Sequence, residues 1–172
     1  VLFRSLMKFL EHDIADKNFL RYISRFLKSG IVENGAILES DKGTPQGGQI
    51  SPILANVYLH YVLDLWCERI LKQYVRGEIY YVRYADDFLL MFQYEEEAKR
   101  VLELLRTRLA KFGLEVAEDK TRILPIGRFK GTKEDFDFLG FTFFNTKTRG
   151  GKYRLGVRTS KKKQKIDRKS VV

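Results

Sequence analysis

A chain of 172 residues, 44% hydrophobic and 31% charged, is long and apolar enough to bury one core, so disorder is not the default reading. One cysteine, Cys67, and two histidines, His12 and His60, exclude a disulfide framework and a four-ligand zinc site and fit a reducing, intracellular setting. The net charge of +10 is local: positions 1–146 hold 21 Lys/Arg against 21 Asp/Glu, whereas 147–172 hold 11 against Asp167 alone, a tail that suits either a polyanionic partner or solvent.

At the ends, Leu2-Phe3-Arg4-Ser5 and Asp167-Arg168-Lys169-Ser170 can be encoded by reverse-complementary DNA resembling a sequencing adapter. Positions 1–5 and 167–172 are therefore set aside from the fold, leaving 6–166 as natural sequence. A short helix is expected around Leu6 to Glu11. Phe19, Leu20, Ile23, Phe26 and Leu27 recur at helical spacing between Asp16, a capping residue, and Gly30, a stop signal. Ile31 to Glu39 reads as a small hairpin about Asn34-Gly35. A glycine-rich turn from Gly43 to Gly48 leads to Ser51 and Pro52, in N-cap and first-turn positions of a helix carrying Leu54, Val57, Tyr58, Tyr61, Val62, Leu65 and Trp66. Ser51, Asn56, His60 and Asp64 interrupt the most apolar stretch, so it cannot span a membrane, and no cleavable signal is visible.

Ile79 to Tyr84 and Phe88 to Phe92 flank Ala85-Asp86-Asp87 as a hairpin whose tip carries two carboxylates. Glu95, Glu96 and Glu97 open a further helix that Gly113 ends, with Ala98, Val101, Leu102, Leu105, Leu109 and Phe112 inward. Short strands are expected near Leu114 to Ala117 and Arg122 to Ile126. Beyond a polar loop, Phe136 to Phe144 and Lys152 to Arg158 predict a second hairpin across Arg149-Gly150-Gly151. Helices alternating irregularly with hairpins argue for an α+β fold, a mainly antiparallel sheet with helices on one face.

At a hairpin tip the backbone can bend so that Asp86 and Asp87 approach one cation. Apolar flanking strands make their charges costly unless a metal offsets them, and hard oxygen donors suit Mg²⁺. A pair of such ions roughly 3.5–4 Å apart can activate a hydroxyl and stabilise a leaving pyrophosphate. The same two residues also suit a turn that simply favours aspartate.

The run Gly43-Thr44-Pro45-Gln46-Gly47-Gly48-Gln49-Ile50-Ser51-Pro52-Ile53-Leu54-Ala55-Asn56, followed by Tyr84-Ala85-Asp86-Asp87, resembles the core blocks of group II intron-encoded and related bacterial reverse transcriptases. Gly113-Leu114 with Lys120-Thr121, and then Phe138-Leu139-Gly140-Phe141, continue the resemblance in the family's order. It implies a partial fingers/palm domain over 6–146 and a basic hairpin and linker over 147–166, leading toward a thumb or maturase region. Asp86 and Asp87 would be catalytic metal ligands in a two-metal Mg²⁺ site, with Tyr84 and Ala85 beside the primer terminus. Pro45, Gln46 and Gly47 would approach the incoming nucleotide, and Lys120 its phosphates, although a solvent-facing lysine explains that position too. Phe138, Leu139 and Gly140 would lie near the primer grip, and Lys161, Lys162, Lys163 and Lys165 would meet nucleic-acid phosphates.

The implied partners are an RNA template, intron RNA in particular, a DNA primer and deoxynucleoside triphosphates, in a bacterial cytoplasm. The family's first catalytic aspartate is expected upstream of Leu6, outside this chain, so the chain alone is expected to be inactive. A noncatalytic intron-RNA-binding maturase with a degenerate palm is the alternative, against which the intact Asp86-Asp87 pair argues. A generic basic RNA-binding α+β domain would leave the order of the blocks as accident.

Overall fold

A computed structural model describes residues 2–28, 50–128, 134–161 and 163, together with the backbone of 31–33 and 36–38. The chain divides into two compact units, Val1–Asp119 and Lys120–Val172.

In the first unit, α1 (Leu2–Asp13) runs longer than the sequence suggested, burying Leu6 and Leu10. Asp16 caps α2 (Lys17–Lys28) as expected: its Oδ1 accepts from the backbone N–H of Asn18 at 2.8 Å and of Phe19 at 3.2 Å. Strands β1 (Ile31–Glu33) and β2 (Ala36–Leu38) pair antiparallel, Ile31 opposite Leu38, in agreement with the predicted hairpin. Its Asn34-Gly35 tip and Gly30 lie outside the described residues.

Helix α3 covers 51–74. It starts one residue earlier than the capping pattern implied: Ile50 already has helical φ and ψ and takes the N-cap, which moves Ser51 inside the helix. Its middle is π-helical over His60–Asp64 and Trp66–Leu71, where the Leu65 N–H donates to the His60 carbonyl, five residues back. The wider turns have a packing cause. Buried positions recur at Leu54, Tyr58, Val62 and Trp66, and in a uniform α-helix each four-residue step drifts by about 40°. The π-helical stretch absorbs that drift and also buries Leu63, Cys67 and Leu71, which α-helical spacing does not predict.

Strands β3 (Ile79–Tyr84) and β4 (Asp87–Phe92) form a two-stranded antiparallel hairpin, with Tyr84 opposite Asp87 at its tip. Along β3 burial alternates, so Ile79, Tyr81 and Arg83 face inward while Tyr80, Val82 and Tyr84 are exposed. Helix α4 (Glu95–Lys111) buries Val101, Leu105 and Leu109, and Gly113 ends it at φ 70°. Its first turn also buries Glu97, whose carboxylate accepts from the backbone N–H of Arg76 (2.8 Å) and Gly77 (3.3 Å) and so fixes the approach to β3. Leu114 and Val116 pack on the core without joining a ladder, so neither 114–117 nor 122–126 is a strand.

One apolar layer unites α1, α3 and α4. Phe9 stacks on Tyr61 (centroids 4.6 Å apart), the Tyr58 hydroxyl donates to the Phe112 carbonyl (2.7 Å), and Arg108 donates from Nε to the Val62 carbonyl (3.0 Å). The last contact reaches a carbonyl in the π-helical stretch.

In the second unit, β5 (Asp135–Phe138), β6 (Phe141–Lys147) and β7 (Tyr153–Thr159) form an antiparallel sheet in that order. The β6–β7 hairpin turns through Gly150 and Gly151 as predicted. The single strand expected over 136–144 is instead broken by a tight turn at Leu139-Gly140, both at positive φ (50° and 80°). Gly156 is required by packing: a Cβ there would lie 2.5 Å from the Phe144 ring. Helices with antiparallel sheets match the α+β expectation for the chain, and in the first unit the helices pack on one face of the β3–β4 hairpin. Among the described residues, no helix is long and apolar enough to cross a membrane.

Candidate active site

The β3–β4 connection is a two-residue turn, Ala85-Asp86, of which only Ala85 has positive φ, at 53°. Tight hairpins of this kind favour glycine at that position, because a Cβ there is strained. The strain is held by Arg83. Its Nη1 donates to the Ala85 carbonyl at 2.7 Å and to Asn56 Oδ1 on α3 at 2.8 Å. Its Nε and Nη2 grip Asp64 Oδ1 and Oδ2, each at 2.6 Å. One guanidinium thus ties the turn to two positions of the helix beneath it, a geometry that the planar five-donor fork of arginine allows and a lysine ammonium does not.

Asp64 is the hub of this network. Besides Arg83 it accepts from the Tyr81 hydroxyl at 2.7 Å and lies 3.3 Å from His60 Nδ1. Burial alone would raise its pKa, but the hydrogen bonds from Arg83 and then Tyr81 outweigh burial and hold it below the usual carboxylate value. Tyr81 shifts upward, first through burial and then through its bond to Asp64.

Asp86 and Asp87 differ from Asp64 in every respect. Both are exposed, and neither side chain engages a described residue in a hydrogen bond or ion pair. The nearest sequence cation, Arg83, is already matched by Asp64. Two carboxylates on a turn whose backbone is fixed from behind are available to a hard cation, and together they offer four oxygens. Among the described residues, no third acidic, histidine or cysteine ligand joins them.

The other predicted site residues separate into three groups. Tyr84, 66% exposed at the end of β3, and Ala85 adjoin the acids. Pro45, Gln46, Gly47, Lys162 and Lys165 lie outside the described residues. Lys120, Phe138, Leu139, Gly140, Lys161 and Lys163 belong to the second unit. Lys120 is exposed in a turn, not at a strand edge. Leu139-Gly140 is the tight β5–β6 turn, and Lys163 reaches back to it, placing Nζ 5.5 Å from the Phe141 ring centroid, while Lys161 is exposed.

Sequence reasoning missed Arg83 and Asp64. The signal was present: alternation along β3 puts Arg83 on the buried face with Ile79 and Tyr81, and an arginine there requires an acid opposite it.

A hairpin bearing an acidic turn, with helices packed on one face, is consistent with part of a polymerase palm. The chain belongs to the reverse transcriptase (RNA-dependent DNA polymerase) family, which matches residues 2–143. It is similar to Protein YkfC of Escherichia coli (strain K12), with 27% identity over 185 residues covering 88% of this chain and 45% of that protein. It is also similar to the group II intron-encoded protein LtrA of Lactococcus lactis subsp. cremoris, with 31% identity over 156 residues covering 78% of this chain and 26% of that one. The chain therefore spans less than half the length of these relatives, and the likeness to a group II intron-encoded protein agrees with the resemblance seen in the motif blocks.

Proposed function

We propose that the parent protein is an RNA-directed DNA polymerase of the group II intron-encoded kind, extending a DNA primer along an RNA template, with Asp86 and Asp87 as two of its metal ligands. The observation that carries this reading is the exposed acid pair on a turn locked from behind by Arg83. Hard carboxylate oxygens on a fixed turn suit Mg²⁺. When bound, the metal supplies positive charge that favours deprotonation of the primer 3′-hydroxyl and departure of pyrophosphate. The hydroxyl oxygen bonds to the α-phosphorus of the nucleotide as the bond to pyrophosphate breaks.

Asp86 and Asp87 hold the charge in place, and the exposed Tyr84 with Ala85 borders the primer terminus. Pro45, Gln46, Gly47 and Lys120 serve the incoming nucleotide. Phe138, Leu139 and Gly140, with Lys161, Lys162, Lys163 and Lys165, contact the nucleic acid. Among the described residues only Asp86 and Asp87 are placed to hold the metal, and on this reading, which needs a third acid, the chain by itself does not extend a primer.

The test is primer extension on a primed RNA template with Mg²⁺. The intact parent should extend the primer and lose that activity on Asp86→Asn, while the present chain stays silent. A parent indifferent to Asp86→Asn would sink the ligand assignment, and extension by this chain alone would sink the incomplete site.

A further inference from the structure

Helix α2 carries a surface that the acidic turn does not use. Its cations, Lys17, Arg21, Arg25 and Lys28, are all exposed, and at about 100° per residue they fall within an arc of about 80°. No acidic residue interrupts the helix. Positions 1–119 as a whole hold 16 Lys/Arg against 18 Asp/Glu, so this row is segregated from an otherwise slightly acidic unit.

Like charges four residues apart oppose helix formation, and α4 shows how the same chain relieves them elsewhere. There Lys99 pairs with Glu95 at 2.9 Å and Arg106 with Glu118 at 2.7 Å. Among the described residues, none of the four α2 cations makes an ion pair; Lys28 Nζ lies instead 5.3 Å from the Phe3 ring centroid. Beside the cations runs an aromatic row, Phe19, Tyr22 and Phe26, exposed by 49%, 63% and 39%. With Ile23, Arg25 and Ile50 these rings border a shallow, open groove.

We infer that this face of α2 binds a single-stranded stretch of RNA, its phosphates along the cation row and a base against Tyr22 and Phe19. A duplex presents phosphates but keeps its bases stacked, leaving the aromatic row in water, whereas an unpaired strand offers both chemistries side by side. The inference rests on the reading that the parent works on RNA.

The test titrates the full chain into a fluorescein-labelled single-stranded RNA of mixed sequence over a series of salt concentrations. The variants are Arg21→Gln/Arg25→Gln, Arg21→Lys/Arg25→Lys, Tyr22→Ala and a control with equal charge loss at two other exposed positions, Lys8→Gln/Lys111→Gln. Removing two phosphate contacts should flatten the log–log salt slope by about 1.4, while the lysine pair retains it. Tyr22→Ala should weaken RNA binding roughly fivefold or more yet leave binding to inorganic polyphosphate unchanged. Salt-dependent RNA binding that is equal in the Arg→Gln pair and the control overturns the α2 surface and leaves the polymerase reading intact. Tyr22→Ala behaving like wild type overturns base stacking, and a wild-type chain without salt-dependent RNA affinity overturns the α2 surface.

Discussion

Arg83 grips both carboxylate oxygens of Asp64 at 2.6 Å, from a strand to the helix beneath it, with the two side chains only 12% and 17% exposed. Removing one partner of such a pair leaves a partly buried charge alone, so Arg83→Ala and Asp64→Ala should each cost about 3–5 kcal/mol. Because they share one interaction, the double variant should fall short of additivity by about 0.5–3 kcal/mol in urea unfolding. Strict additivity would show that the two residues act independently.

The same pair sets an acid limit. Asp64 has a pKa below its ordinary value in the folded chain, so it contributes stability that is present above the unfolded carboxylate pKa and lost as pH falls through the folded one. Wild type should therefore lose stability on acidification more steeply than Asp64→Asn. Parallel pH profiles for the two would contradict the assignment.

Ala85 stores strain at φ 53°. Ala85→Gly should raise stability by up to about 1 kcal/mol through relief of the left-handed conformation, and Ala85→Val should lower it. A glycine variant that is clearly less stable than wild type would mean that the turn is not strained as described.

Glu97 is 2% exposed and accepts two backbone N–H groups ahead of β3. Glu97→Ala strands those donors and should cost about 1–3 kcal/mol, with Glu97→Gln recovering part of the loss through its remaining carbonyl oxygen. Equal stability of Glu97→Ala and wild type would show that water replaces the carboxylate without penalty.

Burial pushes the Cys67 thiol up to about 12 and leaves it 2% exposed. It should react with an aromatic disulfide reagent only as fast as the chain unfolds, and urea should accelerate labelling in step with the unfolding transition. Rapid labelling of the native chain would contradict the packing of α3.

What the sequence made legible follows from the range of the forces involved. The caps and stops of α2 and α4 depend on Asp16 and Gly113 within a few residues, and the β3–β4 hairpin depends on local alternation, so these were readable. The π-helical stretch of α3 was not, since it answers to packing against α1 and α4, and neither was the break at Leu139-Gly140, which puts a leucine at positive φ. Asp86 and Asp87 stood out because two adjacent acids at a hairpin tip are conspicuous. Their support did not, because Arg83, Asn56 and Asp64 are separated along the chain and meet only after folding.

The most direct test of the acidic turn as a metal-holding palm turn is paramagnetic line broadening of the chain's backbone amide resonances by substoichiometric Mn²⁺. The account predicts that broadening begins at Tyr84 to Asp87 and disappears in Asp86→Asn/Asp87→Asn with the fold unchanged. Broadening centred elsewhere, or at the turn but indifferent to that double substitution, would contradict it.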